Sequence, residues 1–169
     1  MGLIVVNALP ADDPAAAAAI AALNPDKTLQ TETMHLSPCI GCNACWLKTP
    51  GICGIHDDYE QLLRGYLSHD AVIFLAGTAL GFVDYKMKNI ADRLLPLATM
   101  YTYFEDGEMR HVPRYPKTYR FGLLYKGQAD GAYLNRWLER TALNMIGVSL
   151  GAFPIEQLDQ AKEAFSCIS

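Results

Sequence analysis

Ala71-Val-Ile-Phe-Leu-Ala76, followed by Gly77-Thr78-Ala79-Leu80-Gly81, is the stretch on which the fold turns. A short, unbroken apolar run with β-branched and aromatic side chains reads as a central strand covered on both faces. The glycine-bearing segment after it reads as a loop. Upstream, Leu3 to Val6 gives a second buried strand, bounded by Asn7 and Pro10. Asp12, Asp13 and Pro14 then mark a helix start, and the alanine-rich helix ends near Asn24-Pro25. Thr28 to His35 alternates as another strand, a cysteine-rich loop follows over 36–56, and Asp57-Asp58 cap a short helix from Tyr59 to Ser68.

Downstream, Met87, Ile90, Ala91, Leu94 and Leu95 share one face of a helix expected over Asp84 to Thr99. Residues 101–118 are aromatic, proline-bearing and read as irregular. Strands are expected over Tyr119–Tyr125 and Val148–Phe153, and helices over Ala132–Ile146 and Ile155–Phe165. Strands alternating with helices imply a parallel sheet with both faces covered. The expected architecture is a three-layer, doubly wound α/β fold on a five-stranded sheet of order 2-1-3-4-5. One domain is expected over 1–169. Ligands in such sheets lie beyond the carboxyl ends of the strands, at the switch in strand order. Here that crevice falls between Ala8–Pro14 and Gly77–Gly81, and the cysteine loop leaves the second strand at the same edge.

Composition narrows the classes. The chain has 169 residues, 51% hydrophobic and 19% charged, with a formal net charge of −4. A core can therefore form, and a disordered chain is excluded. Mild acidity argues against a nucleic-acid partner, and no run approaches the roughly 20 apolar residues of a membrane span. The N-terminus lacks a basic segment, and Val6 stands where a myristoylation site wants Ser or Thr. A cytoplasmic protein is expected.

Five cysteines are present, four of them within fifteen residues: Cys39, Cys42, Cys45 and Cys53. Cys167, near the C-terminus, reads as a small apolar residue or an inert thiol. In a reducing compartment a cluster of this kind points to metal ligation or redox chemistry. The spacing Cys-x2-Cys-x2-Cys-x7-Cys lets one tight loop present three thiolates and bring a fourth after a longer excursion. A 4Fe–4S cluster needs such a set, with Trp46 placed to shield it. Zinc more often uses two separated pairs, and reduced thiols that bind nothing are the third alternative. His56 reads as a loop residue or a ligand. The cysteines lie in the acidic half: residues 1–85 hold three basic and nine acidic groups, whereas 86–169 hold eleven and nine.

Three stretches carry a resemblance. Cys39-Ile-Gly-Cys-Asn-Ala-Cys-Trp-Leu-Lys-Thr-Pro-Gly-Ile-Cys-Gly-Ile-His-Asp-Asp58 resembles the compact cysteine motif and acidic pair of iron–sulfur flavoproteins and related NAD(P)H-dependent FMN reductases of flavodoxin-like fold. Lys88-Asn-Ile-Ala-Asp92-Arg93-Leu-Leu-Pro-Leu resembles the helix after their second FMN loop. Gly107-Glu-Met-Arg-His111-Val-Pro-Arg114-Tyr115 resembles the segment leading to their fourth strand.

The resemblance implies a homodimeric or tetrameric flavoprotein that binds FMN, takes hydride from NAD(P)H and passes electrons onward. In some members a cluster sits on the four cysteines. It puts Pro10, Thr78 and Gly81 at the FMN, and assigns no catalytic residue. Asp92-Arg93 reads as a structural ion pair, and Tyr101, Tyr103 and Phe104 as an interface between subunits, with a roof over the flavin crevice or packing on the chain's own core as the alternatives.

The departures lie in the same two loops. The family's first loop uses hydroxyls and a cation to cradle the FMN phosphate. Here Ala8-Leu-Pro10-Ala-Asp12-Asp13-Pro14 has neither, and brings two carboxylates. The helix start after Pro14 is left as the expected anion-binding feature, through its N–H groups and positive dipole end. The alternative function is a non-catalytic scaffold or subunit with a decayed flavin site, its cysteines free or holding zinc.

Overall fold

The computed structural model describes residues 2–166, and Cys167 lies outside them. The apolar run forms β3 (Ala71–Ala79), whose first six residues are all buried. Strand β1 (Leu3–Asn7) lies parallel on one side of it, with Leu3 opposite Ala71 and Asn7 opposite Leu75. Strand β7 (Tyr119–Lys126) lies parallel on the other side, from Ala71 opposite Arg120 to Gly77 opposite Lys126. Strands β2 (Lys27–Gln30) and β8 (Gly147–Pro154) add outside β1 and β7. The sheet order is β2-β1-β3-β7-β8, which is the expected 2-1-3-4-5 arrangement.

Alternation along the buried strands divides the core into two layers, because successive side chains leave a strand on opposite faces. Ile4, Val6, Val72 and Phe74 pack with α3 (Tyr59–Ser68), α4 (Tyr85–Asp92) and α5 (Gly131–Asn144), through Leu62, Tyr66, Met87, Ile90, Leu134 and Leu138. Val5, Ile73, Leu75 and Leu124 face the other way, toward α1 (Pro14–Leu23) and α6 (Leu158–Ser166), through Ala16, Ala19, Ala161 and Phe165. Gly122 is a close-approach position: a Cβ there would stand 2.6 Å from Ile73 Cδ1 and 2.8 Å from Phe165 Cε1.

Four local expectations are corrected. The helix expected to reach Thr99 ends at Asp92, and Leu95–Leu97 make a 3-10 turn. Pro96 lacks a donor and disfavours helical backbone at the residue before it. Residues 101–118 are not all irregular: β5 (Ala98–Glu105) and β6 (Glu108–Pro113) form an antiparallel hairpin. Its turn is Asp106-Gly107, with φ of 52° and 80°, the two positive values that a tight hairpin turn requires. The expected loop 77–81 is largely strand, because β3 continues to Ala79 and turns at Leu80-Gly81 into β4 (Phe82–Val83). Finally, β2 stops at Gln30, and Thr31–Thr33 form a 3-10 turn. Among the described residues no helix is long and apolar enough to cross a membrane.

Candidate functional site

The carboxyl ends of β1, β3 and β7 meet at one edge of the sheet. Asn7, 2% exposed, closes the first loop from beneath. Its Oδ1 accepts the Leu9 N–H at 3.0 Å, and its Nδ2 donates to Gln30 Oε1 at 2.6 Å. Gln30 Nε2 in turn donates to the Leu9 carbonyl at 2.8 Å. The Ala11 N–H donates to Glu32 Oε2 at 2.7 Å. Asp13 is the N-cap of α1, and its Oδ1 accepts from the Ala15 and Ala16 N–H groups at 2.9 and 3.1 Å. Its other oxygen pairs with Lys126 Nζ at 2.5 Å. The Lys126 hydrogen bond, with the two helix N–H groups, holds the Asp13 carboxyl below its ordinary range.

The helix start expected to offer open N–H groups is therefore capped by the chain itself. A phosphate brought there would find its donors occupied and two carboxylates beside it, an arrangement that desolvation makes costly. The phosphate of FMN does not fit this loop.

Thr78 and Gly81 line an open groove with Gly127, Gln128, Ala129 and Asp130, and Pro10 is not among its residues. The Thr78 hydroxyl donates to the Lys126 carbonyl at 3.3 Å, and the Asp130 N–H donates to the Gly81 carbonyl at 3.2 Å. Gly127, at φ 115°, sits so close that a Cβ would stand 2.5 Å from Thr78 Oγ1. The second loop is thus a short hairpin pinned to the turn after β7.

The cysteine loop is built differently. It includes one short helix, α2 (Ala44–Leu47), and its base is tied by a buried ion pair between Arg93 and Asp57, each side chain 1% exposed. Arg93 Nη1 donates to Asp57 Oδ2 at 2.6 Å and to the Ser37 carbonyl at 2.9 Å. Nη2 donates to Asp57 Oδ1 at 2.9 Å and reaches Cys53 Sγ at 3.3 Å. Asp57 also accepts the N–H groups of Ser37 at 2.8 Å and Tyr59 at 3.1 Å. Burial pushes the Asp57 carboxyl up, but these hydrogen bonds outweigh it and the net shift is downward. The guanidinium lies over the Tyr59 ring, 4.2 Å from its centroid.

The expected Asp92–Arg93 pair is therefore corrected. Asp92 pairs with Lys88 one turn back, while Arg93, at the end of α4, turns inward to Asp57. Sequence reading placed Asp57 only as a helix cap, and it does accept the Tyr59 N–H. Nothing local could have signalled its partner across 36 positions.

The loop is also fastened at its middle. Trp46 Nε1 donates to the Leu95 carbonyl at 2.9 Å, and its ring lies 5.1 Å from that of His111. Arg114 Nε donates to the Pro96 carbonyl at 3.0 Å. Cys45 is buried, Cys53 half-buried, and Cys39 and Cys42 exposed, all four as free thiols. Burial pushes the Cys45 thiol up, and Cys53, Cys39 and Cys42 each push further. Cys45 thus feels the charge of the other three thiols as well as its own burial. A bound metal would relieve it, because a cation favours the thiolate.

Among the described residues, no group of three or more His, Cys, Asp or Glu side chains is already arranged around a metal position. In chemistry the four thiols suit an iron–sulfur cluster, with an Arg93 N–H directed at Cys53, but the described side chains do not gather them about one point. His56 lines a cavity of about 360 Å³ with Cys53, Tyr59 and Tyr115, and the other three cysteines are not among its lining residues.

This architecture is the flavodoxin-like fold, and solved structures of flavin reductases share it. A flavone reductase superposes with a TM-score of 0.62 at 14% identity, over 97% of this chain and 60% of that one. The azoreductase AzrA gives 0.57 at 12% identity, over 99% of this chain and 94% of that one. An NADH:FMN oxidoreductase in its apo form gives 0.51 at 11% identity, over 98% and 83%. In sequence, the chain is 39% identical over 63 residues to an iron–sulfur flavoprotein of Methanocaldococcus jannaschii. That match spans 37% of this chain and about a third of the relative, 32%. No family model matches the chain.

Proposed function

We propose that the chain is an electron-transfer oxidoreductase of the flavodoxin-like reductase class, with a 4Fe–4S cluster on Cys39, Cys42, Cys45 and Cys53. The observation that carries this reading is the four-thiol loop, closed at its base by the buried Arg93–Asp57 pair with Arg93 turned to Cys53. When bound, such a cluster supplies reversible one-electron transfer, at a potential set by charge and by hydrogen bonds to sulfur.

The chain's own residues divide the remaining work. Cys45, which is buried, and the exposed Cys39 and Cys42 would hold the cluster together with Cys53. Arg93 holds Cys53 and brings positive charge, while Asp57 fixes the guanidinium. Trp46 packs the loop against the turn at Leu95, which limits water on that side.

A second reading, an NAD(P)H-dependent FMN reductase, rests on the fold shared with flavin reductases and on the name of the curated relative. The filled first loop counts against an FMN held by its phosphate. That same loop favours the remaining alternative, a non-catalytic scaffold with zinc or free cysteines. A homodimer or tetramer fits the exposed rings of Tyr101 and Phe104 on β5. A cytoplasmic setting and a single functional domain complete the proposal.

The test is a stopped-flow mixing of anaerobically reconstituted, dithionite-reduced protein with a one-electron acceptor. Reoxidation of one electron per chain, lost in Cys39→Ala and Cys45→Ala, is expected. A zinc-loaded protein that transfers no electron contradicts the reading, and NADH oxidation that depends on added FMN favours the second.

A further inference from the structure

We infer that the first crevice loop is a phosphate-type site already filled by this chain's own carboxylates, so the chain does not distinguish flavins by their phosphate. The inference uses no cysteine and stands apart from the cluster reading.

A helix N-terminus recognises a phosphate through open backbone N–H groups, usually with a cation beside it. Every part of that recognition set is present here, and each is engaged except the N–H of Asp12, at the exposed tip of the loop. The Ala15 and Ala16 N–H groups bind Asp13 Oδ1, and the Ala17 N–H binds the Asp13 carbonyl. The Ala11 N–H binds Glu32, the Leu9 N–H binds Asn7, and the Asp13 N–H binds the Pro10 carbonyl at 3.2 Å. Pro10 and Pro14 have no N–H to offer. The cation is Lys126 at the end of β7, and it holds the second oxygen of Asp13. A carboxylate thus receives two helix N–H groups and an ammonium, the same contacts a phosphate monoester would receive.

Displacement is disfavoured on two grounds. A dianion entering here must detach Asp13 from α1 and from Lys126, and Glu32 from Ala11. Each freed carboxylate would then stand beside it, along with Asp12 on the exposed side of the loop. Asp13 also stays ionised near neutrality, because its pairing with Lys126 already favours the charged form.

The test is a fluorescence titration of the whole chain with FMN and, separately, with riboflavin, which differ only in the phosphate. The expected result is equal affinity within about threefold, or no measurable binding of either. The double variant Asp13→Gly/Glu32→Ala removes both acceptors and two negative charges, so it frees the Ala11, Ala15 and Ala16 N–H groups and leaves Lys126 unpaired. It is expected to bind FMN at least tenfold more tightly than riboflavin. The single variant Glu32→Ala, at an exposed position, serves if the double variant does not fold, with the same direction and a smaller ratio. Preference of the unaltered chain for FMN by tenfold or more would overturn the inference. So would a folded variant that still binds the two flavins alike. Iron content, assayed in parallel, is expected to be unchanged in every variant, so a failure of the cluster reading would be seen separately.

Discussion

The loop after β1 and the loop after β2 lie at the same edge of one sheet and have reached opposite states. In the first, hard donors are abundant and engaged: backbone N–H groups bind Asp13 and Glu32, and Lys126 binds Asp13. In the second, soft donors are abundant and free, with four thiols carried on a loop tied at its base by the Arg93–Asp57 pair. At one fold edge the anion donors are taken by the chain's own carboxylates, while the thiols proposed to hold a cluster are free. The lesson is that a fold's usual ligand position is a set of donors, and whether it functions depends on what else in the chain takes them.

The largest expected effect is at the base of the cysteine loop. Arg93→Met leaves the Asp57 carboxylate buried without its partner, and such losses cost about 3–5 kcal/mol. Urea unfolding checks this. A loss under about 1 kcal/mol would mean that the loop is not built on that pair.

A smaller effect is expected at the first loop. Asp13→Ala removes the cap of α1 and should cost about 1–2 kcal/mol, whereas Asp13→Asn keeps the cap and should cost only a few tenths. Equal losses in the two variants would assign the stability to the Lys126 charge pair rather than to the helix N–H groups.

Acid acts on both loops in the same direction. Asp57 and Asp13 both have folded values below the unfolded one of about 3.9, so each contributes stability above that pH. The contribution disappears as pH falls through the folded value. Between about pH 4 and pH 2, Asp13→Asn should therefore lose less stability than the unaltered chain. Unfolding curves across that range decide it.

The smallest effect on stability is expected from Cys39→Ala and Cys42→Ala, within about 0.5 kcal/mol because both thiols are exposed. Iron binding should nevertheless fail in each. A thermal melt beside an iron assay would show the two readouts diverging.

Much of the fold was legible locally. The run at Ala71–Ala76, the β-branched opening strand and the helix start at Asp13 all carry short-range signals. The parallel sheet followed from the alternation of strands and helices, whereas its order agrees with the flavodoxin-like resemblance. The hairpin at 98–113 was missed although Asp106-Gly107 announces it, because aromatic residues and prolines around it masked the two-residue turn. The β3 hairpin was missed because Leu80 takes a positive φ of 53° that its residue type does not advertise.

The site was legible in its ligands and not in its partners. The cysteine spacing is local. By contrast, Arg93–Asp57 and Lys126–Asp13 join positions 36 and 113 residues apart, and only the completed sheet brings them together. The absence of hydroxyls in the first loop was visible in sequence. That Asp13 itself would fill the helix N–H groups was visible only as a cap signal.

The most direct measurement of the central claim is iron and acid-labile sulfide content of protein purified without oxygen, with electron paramagnetic resonance after reduction. The account predicts about four irons and four sulfides per chain and a reduced-cluster signal, all lost in Cys45→Ala. A colourless chain that takes up neither iron nor sulfide on anaerobic reconstitution would contradict it.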